Sequence, residues 1–367
     1  MKIGLDKQRI RTITQNIALL LGSLLLCFLA IETVYRIIDP FPFFSDDQTN
    51  LTQHGNLSQY DELLGWKGVP NGEAEFTTVN NSIWLTHNSE GFRDIEHENP
   101  GNKPAIVFLG DSFTWGYEVE FDEMFVNLVR NKLPNYEIYN LSHRGYGTDQ
   151  QLLTYEQWYK DQPVDVVVLM FSENDVEEIM TDISYDKPKP QYKIIDNKLV
   201  LTGVPVPKIE EWTSSSSTKN ETAPRKVSLK NFFFKSHFIH DISFRIDLLR
   251  SASNSKNVQR KYKQKELVLT SRILEKLKQD VESSGARLVV FFIPSKREVE
   301  QLGDSQPYQT EIINLCQELE IEYYDLASEF QKTWPRAYYR YGIHLNARGN
   351  RIVADGIYRD LTQNVLR

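Results

Sequence analysis

Cysteine is nearly absent from this 367-residue chain, which has two, Cys27 and Cys316. Cys27 lies inside an apolar run, so no disulfide between them is expected, and a small disulfide-stapled fold is excluded. The fold must rest on its core. With 40% hydrophobic residues, the chain is long enough for one large domain or two smaller ones. Excess positive charge is missing as well: 42 Lys and Arg face 50 Asp and Glu, a net charge of −8. A nucleic-acid binder carries a basic patch or a high pI, so nucleic acid is not an expected partner. There are no internal repeats. His237 and His240 stand three apart without a carboxylate–histidine signature, and neither a metal nor a cofactor is expected.

Long uncharged runs are scarce, with one exception near the N-terminus. "IALLLGSLLLCFLAI", residues 17–31, carries no charge, and extension to Tyr35 adds only Glu32 and Thr33 as polar residues. Roughly 20 apolar residues span a bilayer, so residues 13–35 read as a transmembrane signal-anchor. Lys2, Lys7, Arg9 and Arg11 outweigh Asp6 in residues 1–12. The positive-inside rule keeps that tail cytoplasmic and puts the rest outside. A cleaved signal peptide is the competing reading, but Glu32-Thr33-Val34-Tyr35 makes a poor cleavage site.

Residues 36–103 read as an extracytoplasmic linker and extension, with residues 45–59 polar and loose. From Pro104 the pattern changes. Apolar runs at 105–109, 136–140, 164–171, 287–293 and 322–326 read as buried parallel strands. Helical spacing lies between them. Asp122 is placed to cap a helix with Met124, Phe125, Leu128 and Val129 inward. Thr148 to Gln151 has capping-box spacing. Leu267, Ile273, Leu274, Leu277 and Val281 follow a helical period that stops at Gly285, and Ile312, Leu315 and Leu319 another. Asn346 is placed to cap a last helix carrying Val353, Ile357, Leu361 and Val365. Alternating strands and helices specify an α/β fold with a central parallel sheet of about five strands. Residues 181–262 break the rhythm as an insertion over one end of the sheet. It begins with a hairpin turning at Asp196-Asn197, then a flexible serine-rich stretch, then an aromatic helical segment.

In such sheets, ligands bind beyond the carboxyl ends of the strands. The first strand is followed by Gly110-Asp111-Ser112 and the second by "NLSHRGYG". "SEND" follows the third, and "YGIHLN" precedes the last helix. Ester cleavage needs a nucleophile, a base and oxyanion donors. Ser112 offers a hydroxyl on a strand-to-helix turn, where its own N–H can face an oxyanion. His344 offers a base, Gly145 an unobstructed N–H, and Asn174 a side-chain amide. The bland alternatives are a helix-cap serine, a packed imidazole, a turn glycine and a loop asparagine. Asp111 and Asp175 read as turn braces, His143 as a solvated loop residue, and Trp115 and Tyr146 as either pocket lining or core. "NSEGFRD", residues 88–94, reads as structural, with Phe92 a core anchor.

The set "GDSFTWG", Gly145, "SEND" and His344 resembles the four sequence blocks of the SGNH (GDSL-type) hydrolase family, from about residue 106 to the C-terminus. The resemblance implies a three-layer α/β/α, flavodoxin-like fold. It implies Ser112 as nucleophile, His344 as base, and the Ser112 N–H, the Gly145 N–H and Asn174 as the oxyanion hole. It also implies an ester of a lipid, carbohydrate or other small molecule as substrate. Two positions depart from the family pattern: Ser172 replaces the glycine of the third block, and Tyr341 stands where the last block has its acid. Asp325, ending the fifth strand, is the other possible acid partner. The expected function is thus a membrane-anchored serine esterase acting through an acyl-enzyme. The alternatives are an O-acyltransferase acting on a cell-envelope polysaccharide and a catalytically impaired glycan-binding scaffold.

Overall fold

A computed structural model describes residues 7–38, 52–78, 80–97, 103–160, 162–208, 236, 238, 262–299, 308–331, 337–339 and 342–366. Tyr341, His237, His240, the serine-rich stretch and most of the aromatic segment after it lie outside the described residues. The chain divides into two units: Met1–Asp47 with Asn220–Lys256, and Gln48–Lys219 with Asn257–Arg367.

In the first unit, helix α1 (Lys7–Ile38) contains a stretch, Arg11–Ile37, long and apolar enough to cross a membrane, with 6% of it buried. Glu32, the acid in that stretch, is not left bare. Its carboxylate accepts from Arg36 Nε at 2.9 Å, Ser236 Oγ at 2.7 Å and the Phe238 N–H at 3.2 Å.

The second unit opens with short antiparallel strands: β1 (Thr52–Gly55), β2 (Ser58–Asp61), β3 (Gly65–Gly68), β4 (Glu73–Thr77) and β5 (Ser82–Thr86). Residues 52–55 and 58–59, expected to be loose, thus pair into strands. β1, β4 and β5 form a sheet in the order β1-β4-β5, while β2 and β3 form a hairpin. The alternation in "EAEFT" and "SIWLT" explains the pairing: Ala74, Phe76, Ile83 and Leu85 are buried while their neighbours point out. The core of this module takes in Leu57 and, from further along the chain, Trp115.

The main body alternates strand and helix. In order it runs β6 (Ala105–Leu109), α2 (Ser112–Trp115), α3 (Phe125–Lys132), β7 (Glu137–Asn140), α4 (Thr148–Trp158), β8 (Val166–Phe171) and α5 (Asp175–Glu178). Two short hairpins follow: β9 (Ile183–Ser184) with β10 (Lys187–Pro188), and β11 (Gln191–Ile195) with β12 (Lys198–Thr202). The second turns at Asp196 and Asn197, both with positive φ (48° and 60°). The body closes with α6 (Gln264–Ser283), β13 (Arg287–Phe292), α7 (Lys296–Val299), α8 (Gln309–Glu318), β14 (Glu322–Asp325), α9 (Ala327–Gln331) and α10 (Ala347–Asp360).

Five strands pair in the order β14-β13-β8-β6-β7, every neighbouring pair parallel. Successive side chains of a strand point to opposite faces, and here both faces are dry. Val107, Leu109, Val167, Leu169, Val290 and Phe292 pack with the apolar sides of α4, α6 and α8. Ile106, Phe108, Val168, Met170, Val289 and Phe291 pack with α3 and α10. That double burial is why β6, β8 and β13 read as unbroken apolar runs, and it makes the three layers. The strand order reverses around β6, which lies between β7 and β8, so the loops leaving these three strands open onto one crevice.

Candidate active site

Ser112 opens α2 immediately beyond β6 and is 9% exposed. Its turn is held from both sides. Asp111, at the N-cap, accepts from the Phe113 N–H at 2.9 Å. Gly110 packs so closely on Thr114 that a β-carbon there would lie 2.0 Å from Thr114 Oγ1. Only glycine permits that approach. The loop that follows is fastened by Arg93, 1% exposed, whose guanidinium donates to the carbonyls of Trp115 (3.2 Å), Gly116 and Val119 (2.6 Å).

His344 arrives from the loop before α10. The Tyr339 N–H donates to the His344 carbonyl at 2.9 Å, and Lys296 Nζ donates to the carbonyls of Tyr339 (2.7 Å) and Gly342 (3.1 Å). Asn346 caps α10, its side chain accepting from the N–H groups of Arg348 and Gly349, both at 3.0 Å. The imidazole stacks on Tyr117, ring centres 4.2 Å apart, and tilts against Phe113. Its Nε2 lies 2.9 Å from Ser112 Oγ. For Nε2 to accept the serine proton, the neutral ring must carry its hydrogen on Nδ1. That nitrogen faces Glu118, whose Oε2 is 3.8 Å away. Burial pushes the His344 pKa down to about 3, keeping the ring neutral at rest. A carboxylate at 3.8 Å acts in the opposite direction, favouring the charged ring.

The loop after β7 carries Gly145 at φ +76°, a left-handed conformation that favours glycine. The ring of Tyr185, from the turn between β9 and β10, covers it: a β-carbon on Gly145 would lie 2.4 Å from Tyr185 Cε2. After β8, the Asn174 amide donates to Asp111 Oδ2 at 3.0 Å, and Ser172 Oγ donates to the same oxygen at 2.8 Å. One amide hydrogen of Asn174 is therefore committed, and an amide has two. Asp175 accepts from Thr148 Oγ1, Gln151 Nε2 and the Ser172 N–H, at 3.0, 2.9 and 2.7 Å. Both aspartates are buried, which raises their pKa values, and both hold turns together. A cavity of about 190 Å³ opens beside Asn174 and Phe113, walled by Ile293, Pro294 and Ile343 with polar Ser172 and Glu177.

A hydroxyl on an imidazole, at the carboxyl end of a parallel sheet, is the pair that acyl transfer requires. The model of the GDSL-like Lipase/Acylhydrolase family matches residues 108–352. The chain belongs to this family. A curated relative, the GDSL esterase/lipase CPRD49 of Arabidopsis thaliana, is 34% identical over 93 residues, covering 21% of this chain. The chain spans 36% of the length of that relative. Among solved structures, a lipolytic G-D-S-L family protein from Veillonella parvula covers 71% of this chain and 98% of its own, at 12% identity and TM-score 0.40. The acetyl xylan esterase AlAXEase covers 70% of this chain and 99% of its own, at 16% identity and TM-score 0.39.

In this GDSL-like chain, four of the five residues singled out from sequence come from loops at one end of the sheet: Ser112, Gly145, Asn174 and His344. Asp325 does not join them as an acid. Its carboxylate accepts from Gln309 Nε2 at 3.2 Å and from the Ala327 N–H at 2.9 Å, bracing the turn into α9. His143 is buried, 2% exposed, rather than solvated, and stacks on Tyr146. Trp115 and Tyr146 are core, at 0% and 2% exposure. Sequence reading missed Glu118 altogether. Its one signal was an acid six residues after the serine, a spacing that matches no motif. Among the described residues no group of three or more His, Cys, Asp and Glu side chains could hold a metal ion.

Proposed function

We propose that this chain is a membrane-anchored serine esterase, working outside the cytoplasm on an ester of a short acyl group, O-acetyl among them, carried by a carbohydrate or lipid. The observation that carries the reading is the 2.9 Å contact between Ser112 Oγ and His344 Nε2. Ser112 Oγ attacks the ester carbonyl as Nε2 takes its proton. The Ser112 N–H, the Gly145 N–H and the second Asn174 amide hydrogen receive the oxyanion. The ester C–O bond breaks, Nε2 returns the proton to the leaving alkoxide, and the acyl group remains on Ser112. Water then attacks, with His344 again the base, and the free acid departs.

The apolar stretch Arg11–Ile37 and the basic residues before it favour an uncleaved anchor with the catalytic unit outside. A serine-directed fluorophosphonate should label the full chain in detergent micelles, and Ser112→Ala should remove the label. Labelling that survives Ser112→Ala would end this reading. Asn174→Ala should lower kcat about 10²–10³-fold on p-nitrophenyl acetate. The aromatic side chains Tyr117 and Tyr185 beside the site favour an acyltransferase as second reading. Acyl transfer to an oligosaccharide outrunning hydrolysis would establish it.

A further inference from the structure

We infer that Glu118 is the positioning residue for His344, replacing the carboxylate that the family pattern puts at the Tyr341 position, and that the N-terminal β-module holds it there. The inference rests on the Ser112–His344 mechanism proposed above. Glu118 Oε2 is 3.8 Å from His344 Nδ1, the nitrogen that must carry the ring hydrogen if Nε2 is to act as base. The residue is 3% exposed. A carboxylate so deeply buried is costly unless its oxygens are satisfied. Oε1 accepts from Asn80 Nδ2 at 2.8 Å, and the Thr78 side chain also hydrogen-bonds the carboxylate. Oε2 faces the imidazole.

The backbone is equally committed. Glu118 has φ +66°, the left-handed region that non-glycine residues avoid and that recurs at functional sites. Its carbonyl accepts from Asn81 Nδ2 at 2.5 Å and from Tyr339 OH at 2.6 Å. Arg93 holds the carbonyls on either side, at Gly116 and Val119. Asn80, Asn81 and Arg93 all precede residue 108, where the family match begins. An extension outside that match therefore holds the acid against a histidine inside it.

At 3.8 Å the pair is longer than a hydrogen bond. It tightens when Nε2 takes the serine proton and the ring becomes an imidazolium, as catalytic contacts do on going from the free enzyme to the transition state. Other titratable groups face the pair. Tyr117 stacks on the ring, with Arg144 acting on Tyr117 from the next loop. Burial raises the Glu118 pKa, while hydrogen bonds from Thr78 and Asn80 and the charge of Lys296 act the other way. Tyr339 lies against its backbone. Lys296 Nζ already donates to the carbonyls of Tyr339 and Gly342. Of these, Glu118 alone offers Nδ1 a negative acceptor.

The test uses the full chain in micelles with p-nitrophenyl acetate. Glu118→Gln should lower kcat about 10²–10⁴-fold with KM unchanged. The acidic limb of the kcat/KM profile should move to lower pH, because the negative charge that favoured the imidazolium is gone. Glu118→Asp keeps the charge, so it should hold the limb near its wild-type position and recover part of the rate. Wild-type kcat in Glu118→Gln overturns the proposal. So does a lowered rate with an unmoved limb that Glu118→Asp fails to rescue, which would mark a purely structural role. In both of those cases, fluorophosphonate labelling that depends on Ser112 leaves the esterase reading standing. Labelling that survives Ser112→Ala removes that reading and the acid assignment with it. Should Glu118→Gln fail to fold, the wild-type chain decides. With a boronic acid bound to Ser112, which turns the ring into an imidazolium, a downfield Nδ1–H resonance that is lost in His344→Asn is expected, and its absence overturns the proposal.

Discussion

Ser112 and His344 are 232 positions apart in sequence yet 2.9 Å apart in space, and each is held by residues unremarkable in themselves. Asn346 caps α10 two residues after the histidine. Asn346→Ala should cost about 1 kcal/mol of stability in a denaturant titration and slow esterolysis, since the same cap sets the histidine loop. Gly145→Ala combines a left-handed φ with a β-carbon driven into Tyr185. It should cost about 1–3 kcal/mol and shift the melting temperature down while lowering kcat. The places of Ser112, Gly145, Asn174 and His344 in the fold were legible because each follows or precedes a recognisable element in a known order. Glu118 was not legible. Its role depends on Asn80, Asn81 and Tyr339, distant in sequence, and no local pattern encodes such a meeting.

The inner strands were legible nearly to the residue, because burial on both faces leaves a plain apolar signature. Expected strands at 105–109 and 287–293 stand against Ala105–Leu109 and Arg287–Phe292. Helix starts were harder. Asp122 does not cap α3. A short 3-10 turn, Phe121–Glu123, intervenes, Met124 takes the N-cap, and Asp122 instead accepts from Asn127 Nδ2. At α4 the N-cap is Gly147, one residue before the expected Thr148, whose hydroxyl instead donates to Asp175. A polar side chain near a helix start can serve the helix or a neighbouring loop, and tertiary contacts choose. Helix α6 follows its predicted period, with Ile273, Leu274, Leu277 and Val281 fully buried and Gly285 ending it at φ +84°. Leu277→Ala should therefore destabilise the chain by about 2–5 kcal/mol, read from its denaturation midpoint.

At the scale of the molecule, the extension is part of the enzyme. His97 bridges it to the main sheet, with Nε2 3.0 Å from Asp94 and Nδ1 2.6 Å from Glu137 on β7. Burial opposes the charged ring, but the two carboxylates outweigh it, so its pKa is raised. A raised folded-state pKa gives stability that is fully present below the unfolded value, about 6.5, and is lost as pH rises through the folded one. His97→Gln should thus cost about 2 kcal/mol at pH 5.5 and much less at pH 9, measured by urea titration at both. For α1, an uncleaved anchor predicts a full-length chain that stays with membranes through an alkaline carbonate wash. A shorter, washable chain would mark a cleaved signal.

What the sequence determined alone was whatever is periodic or local: the apolar helix, the strand runs, the helical faces and the order of the four family blocks. Hydrophobic spacing acts over a few residues and survives in any tertiary setting. What only the folded chain decided was the choice among equivalent polar groups. Asp325 ended as a brace of the turn into α9, Asp122 as a partner of Asn127, and Glu118 as the acid facing His344. A carboxylate takes its role from its neighbours, and those neighbours meet only when distant segments pack.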